Sequence, residues 1–188
     1  MYMQQERAAS MAAVFTGFTA RVSGTVKGKS GQAFPEQASG GSELEIQSRF
    51  GAVTARKESA IFFPYGLLGL PPSLHFVVTD IPRYKEQNLG HFKLLQCLND
   101  HSVSFIVLPI DMDNTIVARE DISEACRALN VREENLLTLL IVSVQRSPDS
   151  LRVTVNARAP VIVDVADKAA IQYVFPTSKY EICHLLTK

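Results

Sequence analysis

FFPYGLLGL, residues 62–70, is the stretch on which the fold depends. An apolar strand end, Ile61 to Phe63, runs into Pro64, and Gly66 and Gly69 are each followed by leucine. Pro64 holds its own φ at about −65° and drives Phe63 into an extended conformation, while glycine at 66 and 69 reaches the positive φ that other residues resist. A sharp turn is therefore encoded. Surface turns are ordinarily polar, whereas this one carries Phe62, Phe63, Tyr65, Leu67, Leu68 and Leu70, so it either tucks into the core or meets a partner. Phe63, Tyr65 and Leu67 are the candidate contacts, and Pro64, Gly66 and Gly69 shape the turn.

Strand-like runs flank it on both sides. Before it, Leu44 to Val53 and Ala60 to Phe63 predict two strands joined by a bend at Lys57-Glu58. After it, Pro71-Pro72 lead to Leu74–Asp80, a β-branched and aromatic run closed by Ile81-Pro82. A polar loop from Arg83 to Gly90 precedes Phe92–Asp100 and Val103–Ile110, which the Asn99-Asp100 link predicts to pair antiparallel, with Pro109 closing the second. Asn135–Gln145 forms another apolar run. It is joined through Ser147-Pro148-Asp149-Ser150 to the alternation of Leu151, Val153, Val155 and Ala157 with Arg152, Thr154, Asn156 and Arg158. Pro160 breaks that strand, Val161–Val165 resumes it, and Ile171, Tyr173 and Phe175 alternate in a last one.

One helix is predicted. Ile122, Ala125, Cys126 and Leu129 fall at i, i+3, i+4 and i+7, with Glu120, Asp121 and Glu124 near the positive end and Asn130 as the stop. Roughly eight or nine short strands with one short helix predict a mainly β protein, an antiparallel barrel or sandwich. A parallel βαβ array would need a helix after most strands.

Length and charge bound the function. At 188 residues, with 19 basic and 19 acidic side chains, the chain suits one domain and has no global attraction for nucleic acid or anionic membrane, so direct contact with either is not expected. Three widely spaced cysteines, Cys97, Cys126 and Cys183, argue against a disulfide framework and suit a reducing compartment. The neighbours Cys183 and His184 would point to opposite faces of a strand, which makes them poor partners in catalysis or metal binding. No apolar run approaches the ~18 residues that span a bilayer.

Residues 1–42, rich in Ala, Ser, Gly and Thr, predict a poorly ordered extension before a domain at 43–188. Ala8–Ala20 after Arg7 has the look of an export signal, but Ser10, Thr16, Gly17 and Thr19 interrupt it. GTVKGKS, residues 24–30, has the look of a phosphate-binding loop but is one residue short between its glycines, and no apolar strand leads into it. No cofactor, metal or Ser–His–Asp arrangement is readable, so an enzyme is not expected.

Four blocks in order resemble the flagellar assembly factor FliW family, from about Leu44 to the C-terminus. They are FPYGLLG (Phe63–Gly69); Phe92-Lys93-Leu94-Leu95-Gln96 with Asp100 and Phe105–Pro109; VTVNARAPVIVD (Val153–Asp164); and Gln172 with TSKYEICH (Thr177–His184). Leu70 stands where the family turn commonly has phenylalanine, and Cys183 where it commonly has arginine, which makes Cys183 a candidate contact. The resemblance implies a small cytoplasmic β protein, monomeric when free and without catalytic activity. Such a protein binds the translational regulator CsrA, relieves its repression of flagellin messenger RNA, and binds newly made flagellin in a partner switch.

Local charge adds a surface to that expectation. Asp111 to Glu134 holds seven acids against three arginines, a local net charge of −4. Asp111, Asp113 and Glu120 are candidate contacts to a basic regulator, although such charge also suits a solvated helix face. The alternative is a small apolar ligand held in the mouth of an antiparallel barrel.

Overall fold

A computed structural model describes residues 43–82, 91–147 and 150–186. The 1–42 extension, its Gly24–Ser30 loop and the Arg83–Gly90 loop lie outside the described residues. The strands are β1 (Glu43–Ser48), β2 (Gly51–Arg56), β3 (Ile61–Phe63), β4 (Leu74–Thr79), β5 (Lys93–Cys97), β6 (Ser104–Ile110), β7 (Leu136–Ser147), β8 (Ser150–Val155), β9 (Val161–Asp164), β10 (Ala169–Gln172) and β11 (His184–Leu185). The helix α1 spans Arg119–Leu129 between β6 and β7.

Seven strands close a barrel in the order β3-β4-β5-β6-β7-β9-β10. Neighbours are antiparallel except at one point, where Ala169 of β10 meets Phe62 of β3 in a parallel bridge. The closing seam is β7 against β9, Leu136–Leu139 with Val161–Asp164. At 12 residues β7 outruns the barrel, and its second half, Val142–Ser147, leaves as a ribbon with β8, to whose base β11 adds at Thr154 and Val155.

Alternation along the strands sorts the apolar residues into three layers. Phe63, Leu67, Phe76, Leu95, Val107, Leu139, Val161 and Val163 fill the barrel interior. On one part of the outside, Ile122, Ala125, Cys126 and Leu129 of α1 pack on Leu140, Val155, Ile162 and Ile171. All four positions of the predicted helical stripe are buried, and Asn130 ends the helix in a left-handed conformation. On another part the β1–β2 hairpin lays Ile46, Val53 and Ala55 over Val77 and Leu94.

Three expectations change. The run Leu44–Val53 is two strands folded back on each other, not one, because Gly51 sits at φ 117° and the Ser48 hydroxyl accepts from the Phe50 amide and donates to the Gly51 carbonyl. The last predicted strand stops its ladder at Gln172, opposite Val161, because the next partner, Pro160, has no N–H to return. Beyond it, Tyr173 and Phe175 donate to the carbonyls of Pro160 and Arg158. Pro109 lies inside β6 opposite Leu139 and leaves the strand to continue to Ile110.

Candidate partner-binding surfaces

The glycine turn is built by short backbone bonds. Gly66 donates to Phe63 (3.1 Å), Leu70 to Leu67 (2.8 Å), and Ser73 reaches back to Pro64 (3.2 Å). Gly66 and Gly69 adopt φ of 66° and 86°, as the turn requires. The result divides the candidate contacts. Phe63 and Leu67 point into the barrel, where Phe63 stacks on Phe76 at 4.7 Å, whereas Tyr65 and Leu68 are 42% and 65% exposed. The structure therefore places Phe63 and Leu67 in the core and Tyr65 at the surface.

A side chain from far along the sequence holds the turn in place. Gln172 accepts from the Leu68 amide (2.9 Å) and donates to the Ala159 carbonyl (3.1 Å), so the turn, the buried break at Ala159-Pro160 and β10 are clamped together. These are three of the blocks that carry the family resemblance.

The acidic segment forms the loop after β6 and the exposed side of α1. Asp111 and Asp113 are exposed, as is Glu120. Arg119 lies 3.3 Å from Asp113 and 3.9 Å from Glu133, and Arg132 lies 3.4 Å from Glu134, all on the surface, where such pairs contribute little to stability. Among the described residues no cation lies within ion-pair distance of Asp111, Glu120 or Glu124, so the field of these three is uncompensated at contact range. The segment is not near the glycine turn in sequence, and among the described residues no hydrogen bond or ion pair joins the two.

The C-terminal block TSKYEICH is what anchors α1. The Tyr180 hydroxyl donates to the Asp121 carboxylate and accepts from the Ala118 amide (3.0 Å), while Lys179 donates to Asp121 at 2.6 Å. The Tyr180 ring is buried against Phe175. One residue further, the Glu181 carbonyl accepts from the amides of Ala157 and Arg158, and the Leu186 amide donates to Val153, which positions β11. Cys183 is exposed beside these bonds and makes none of them. Sequence reading did not single out Tyr180, Asp121 or Gln172 for these roles. Periodicity carries no sign of a hydroxyl–carboxylate contact between residues 59 apart.

Two carboxylates are shifted in opposite directions, for different reasons. Hydrogen bonds from Lys179 and then Tyr180 hold Asp121 below the usual carboxylate range. Burial pushes Asp164 up, although its carboxylate accepts from the amides of Ala166 and Asp167. Burial likewise raises the Cys126 thiol to about 11, which makes it an inert core residue. A depressed acid stabilises the fold fully above its unfolded pKa of about 3.9, and this contribution is lost as pH falls through the lower folded value. Asp121→Asn is therefore expected to unfold at lower denaturant than wild type near neutral pH, with the gap closing below about pH 4. Asp164 acts with the reverse sign, but it is present in both proteins and cancels in the difference, so a gap that stayed constant or widened in acid would contradict the assignment to Asp121.

The family model described as FliW protein matches residues 45–186. The flagellar assembly factor FliW of Clostridium beijerinckii is 25% identical over 140 residues, which covers 73% of this chain and 93% of that protein. The protein of the same name from Geotalea uraniireducens is 28% identical over 137 residues, covering 73% of this chain and 80% of that one. A crystal structure of a flagellar assembly factor FliW superposes with a TM-score of 0.55 at 18% identity, over 77% of this chain and 98% of the other, which speaks to the fold. The glycine turn, the Ala-Pro break, Gln172 and the C-terminal block all fall inside the matched span, where they clamp the barrel and seat its helix. The chain belongs to the FliW family.

Proposed function

We propose that this chain is a cytoplasmic flagellar assembly factor that works by protein binding alone. It binds a CsrA-type translational regulator, relieves repression of flagellin messenger RNA, and exchanges that partner for newly made flagellin. Family membership over residues 45–186 is the observation that carries this reading. The acidic segment supports it with a mechanism. Asp111, Asp113 and Glu120 present negative charge to a basic partner, and that charge beside the phosphate path makes RNA binding less favourable without filling the RNA site. Tyr65 and Leu68 on the glycine turn offer the exposed apolar contacts, and Cys183 lies on the surface as a further candidate. The alternative of an apolar ligand in the barrel mouth gains no support, because Phe63, Phe76, Leu95, Leu139, Val161 and Val163 occupy the interior.

Calorimetric titration of the full chain with the organism's own CsrA and flagellin tests the reading. Saturable binding of each is expected, and the triple reversal of Asp111, Asp113 and Glu120 to lysine is expected to weaken the CsrA complex at least about tenfold while leaving the circular dichroism unchanged. Exposed charges of this kind set association more than folding. A reversed variant that still displaces RNA from CsrA at wild-type concentration would refute the electrostatic mechanism, and binding to neither partner would refute the function.

A further inference from the structure

The barrel forks between β6 and β7. Their ladder covers Val107–Ile110 against Thr138–Ile141 and then ends, while β6 stays with β5 through Ser104 and β7 continues to Ser147 with β8 on its other edge. Among the described residues, the β7 edge from Val142 to Ser147 that faces away from β8 has no partner strand. The fork is finished by an arginine. Val103 gives its carbonyl to Cys97 of β5, so the next carbonyl, Ser104, faces the departed β7, and Arg49 from the β1–β2 turn donates to it at 2.8 Å. A cleft of about 340 Å³ remains there, lined by Arg49, Phe50, Ile106, Val142 and Val144.

We infer that this open edge of β7 is a docking site for an extended peptide segment of a partner protein, one that carries apolar side chains and carboxylates on one face. Backbone pairing with residues 142–147 would supply the ladder, as in strand addition to other exposed edges. Side-chain alternation sets the recognition. Val142, Val144 and Arg146 share one face of β7, Val144 is 50% exposed, and Arg49 lines the same cleft as Val142 and Val144. The cleft is thus apolar along β7, with one arginine in its lining and a second, Arg146, exposed on the strand beyond it. Residues 142–147 and 150–155 contain Arg146 and Arg152 and no acid, so an anionic segment meets no like charge on either strand; the one acid of the hairpin, Asp149, stands between them in sequence.

The same charges disfavour a second copy of this chain as the occupant. Two β7 edges paired antiparallel about Val144 would bring Arg146 of each copy opposite Val142 of the other, against the cleft that Arg49 lines. The surface is also distinct from the acidic segment around α1, which selects basic partners.

Two synthetic peptides test the inference on the full chain: acetyl-Glu-Thr-Val-Thr-Val-Thr-Glu-amide and its twin with lysine for glutamate. Hydrogen exchange should slow at alternate amides between Val142 and Ser147 with the glutamate peptide and leave α1 unchanged. The lysine peptide should bind at least tenfold more weakly, and Arg146→Glu, at an exposed position, should reverse that preference with unchanged circular dichroism. Absence of protection, equal protection by both peptides, or protection confined to the β8 edge would overturn the proposal. So would a concentration-dependent dimer in sedimentation that protects the same amides without peptide.

Discussion

Gly66→Val is expected to destabilise the domain by at least ~3 kcal/mol, enough to lower the melting temperature by roughly 10 °C or to prevent folding. Two costs combine at this position. The φ of 66° is a conformation that β-branched residues avoid, at about 1–3 kcal/mol. A Cβ at residue 66 would also stand 2.1 Å from the Pro71 carbonyl oxygen and 2.9 Å from its carbon. The obstacle is backbone, so it cannot rotate away, and relief requires the 64–73 loop to open. Gly69 supplies the control. Its φ of 86° is equally unusual, but nothing lies within 4 Å of the added atom, so Gly69→Ala should cost only the backbone term, about 1 kcal/mol. Equal losses at both positions, read from denaturant midpoints, would mean that the close approach to Pro71 is not what selects glycine at 66.

The turn shows how much of this fold local chemistry makes legible. Pro64, Gly66 and Gly69 announce a turn by their own backbone restrictions, and the stripe Ile122, Ala125, Cys126, Leu129 announces a buried helix face by period alone. Those signals live within a few residues, so they survive without knowledge of the fold. The break at Gly51 was also local but weak, since a single serine three residues before a glycine reads equally well as strand interior. What joins distant residues was not legible. Gln172 bonds Leu68 across 104 positions, the β7–β9 seam closes the barrel, and two residues of β11 are held by main-chain bonds that no side-chain pattern reports. The open edge of β7 is of the same kind. Asn135–Gln145 reads as one apolar strand, and only the departure of Ser104–Ile106 of β6 leaves one edge of its second half without a partner strand among the described residues.

Phe63→Ala is expected to cost about 3–5 kcal/mol, whereas Tyr65→Ala, two residues on, should stay within about 1 kcal/mol of wild type. Phe63 is fully buried, stacks on Phe76 and lies among Leu67, Leu95, Val107 and Val161, so its removal leaves a cavity in the barrel interior. That interior is bounded by strands bonded to one another around a closed ring, and such walls collapse poorly onto a void, which places the cost toward the upper end of the range. Tyr65 lies on the outside of the same turn, 42% exposed, and removes little from water. The pair separates two consequences of one apolar stretch. If the turn serves a partner through its exposed side, Tyr65→Ala should weaken CsrA or flagellin binding while its midpoint in urea holds. Phe63→Ala should shift the midpoint first and lose binding only as the folded fraction falls. A Phe63→Ala protein as stable as wild type would place that ring outside the core, and the division of the turn into a buried and a presented face would be wrong.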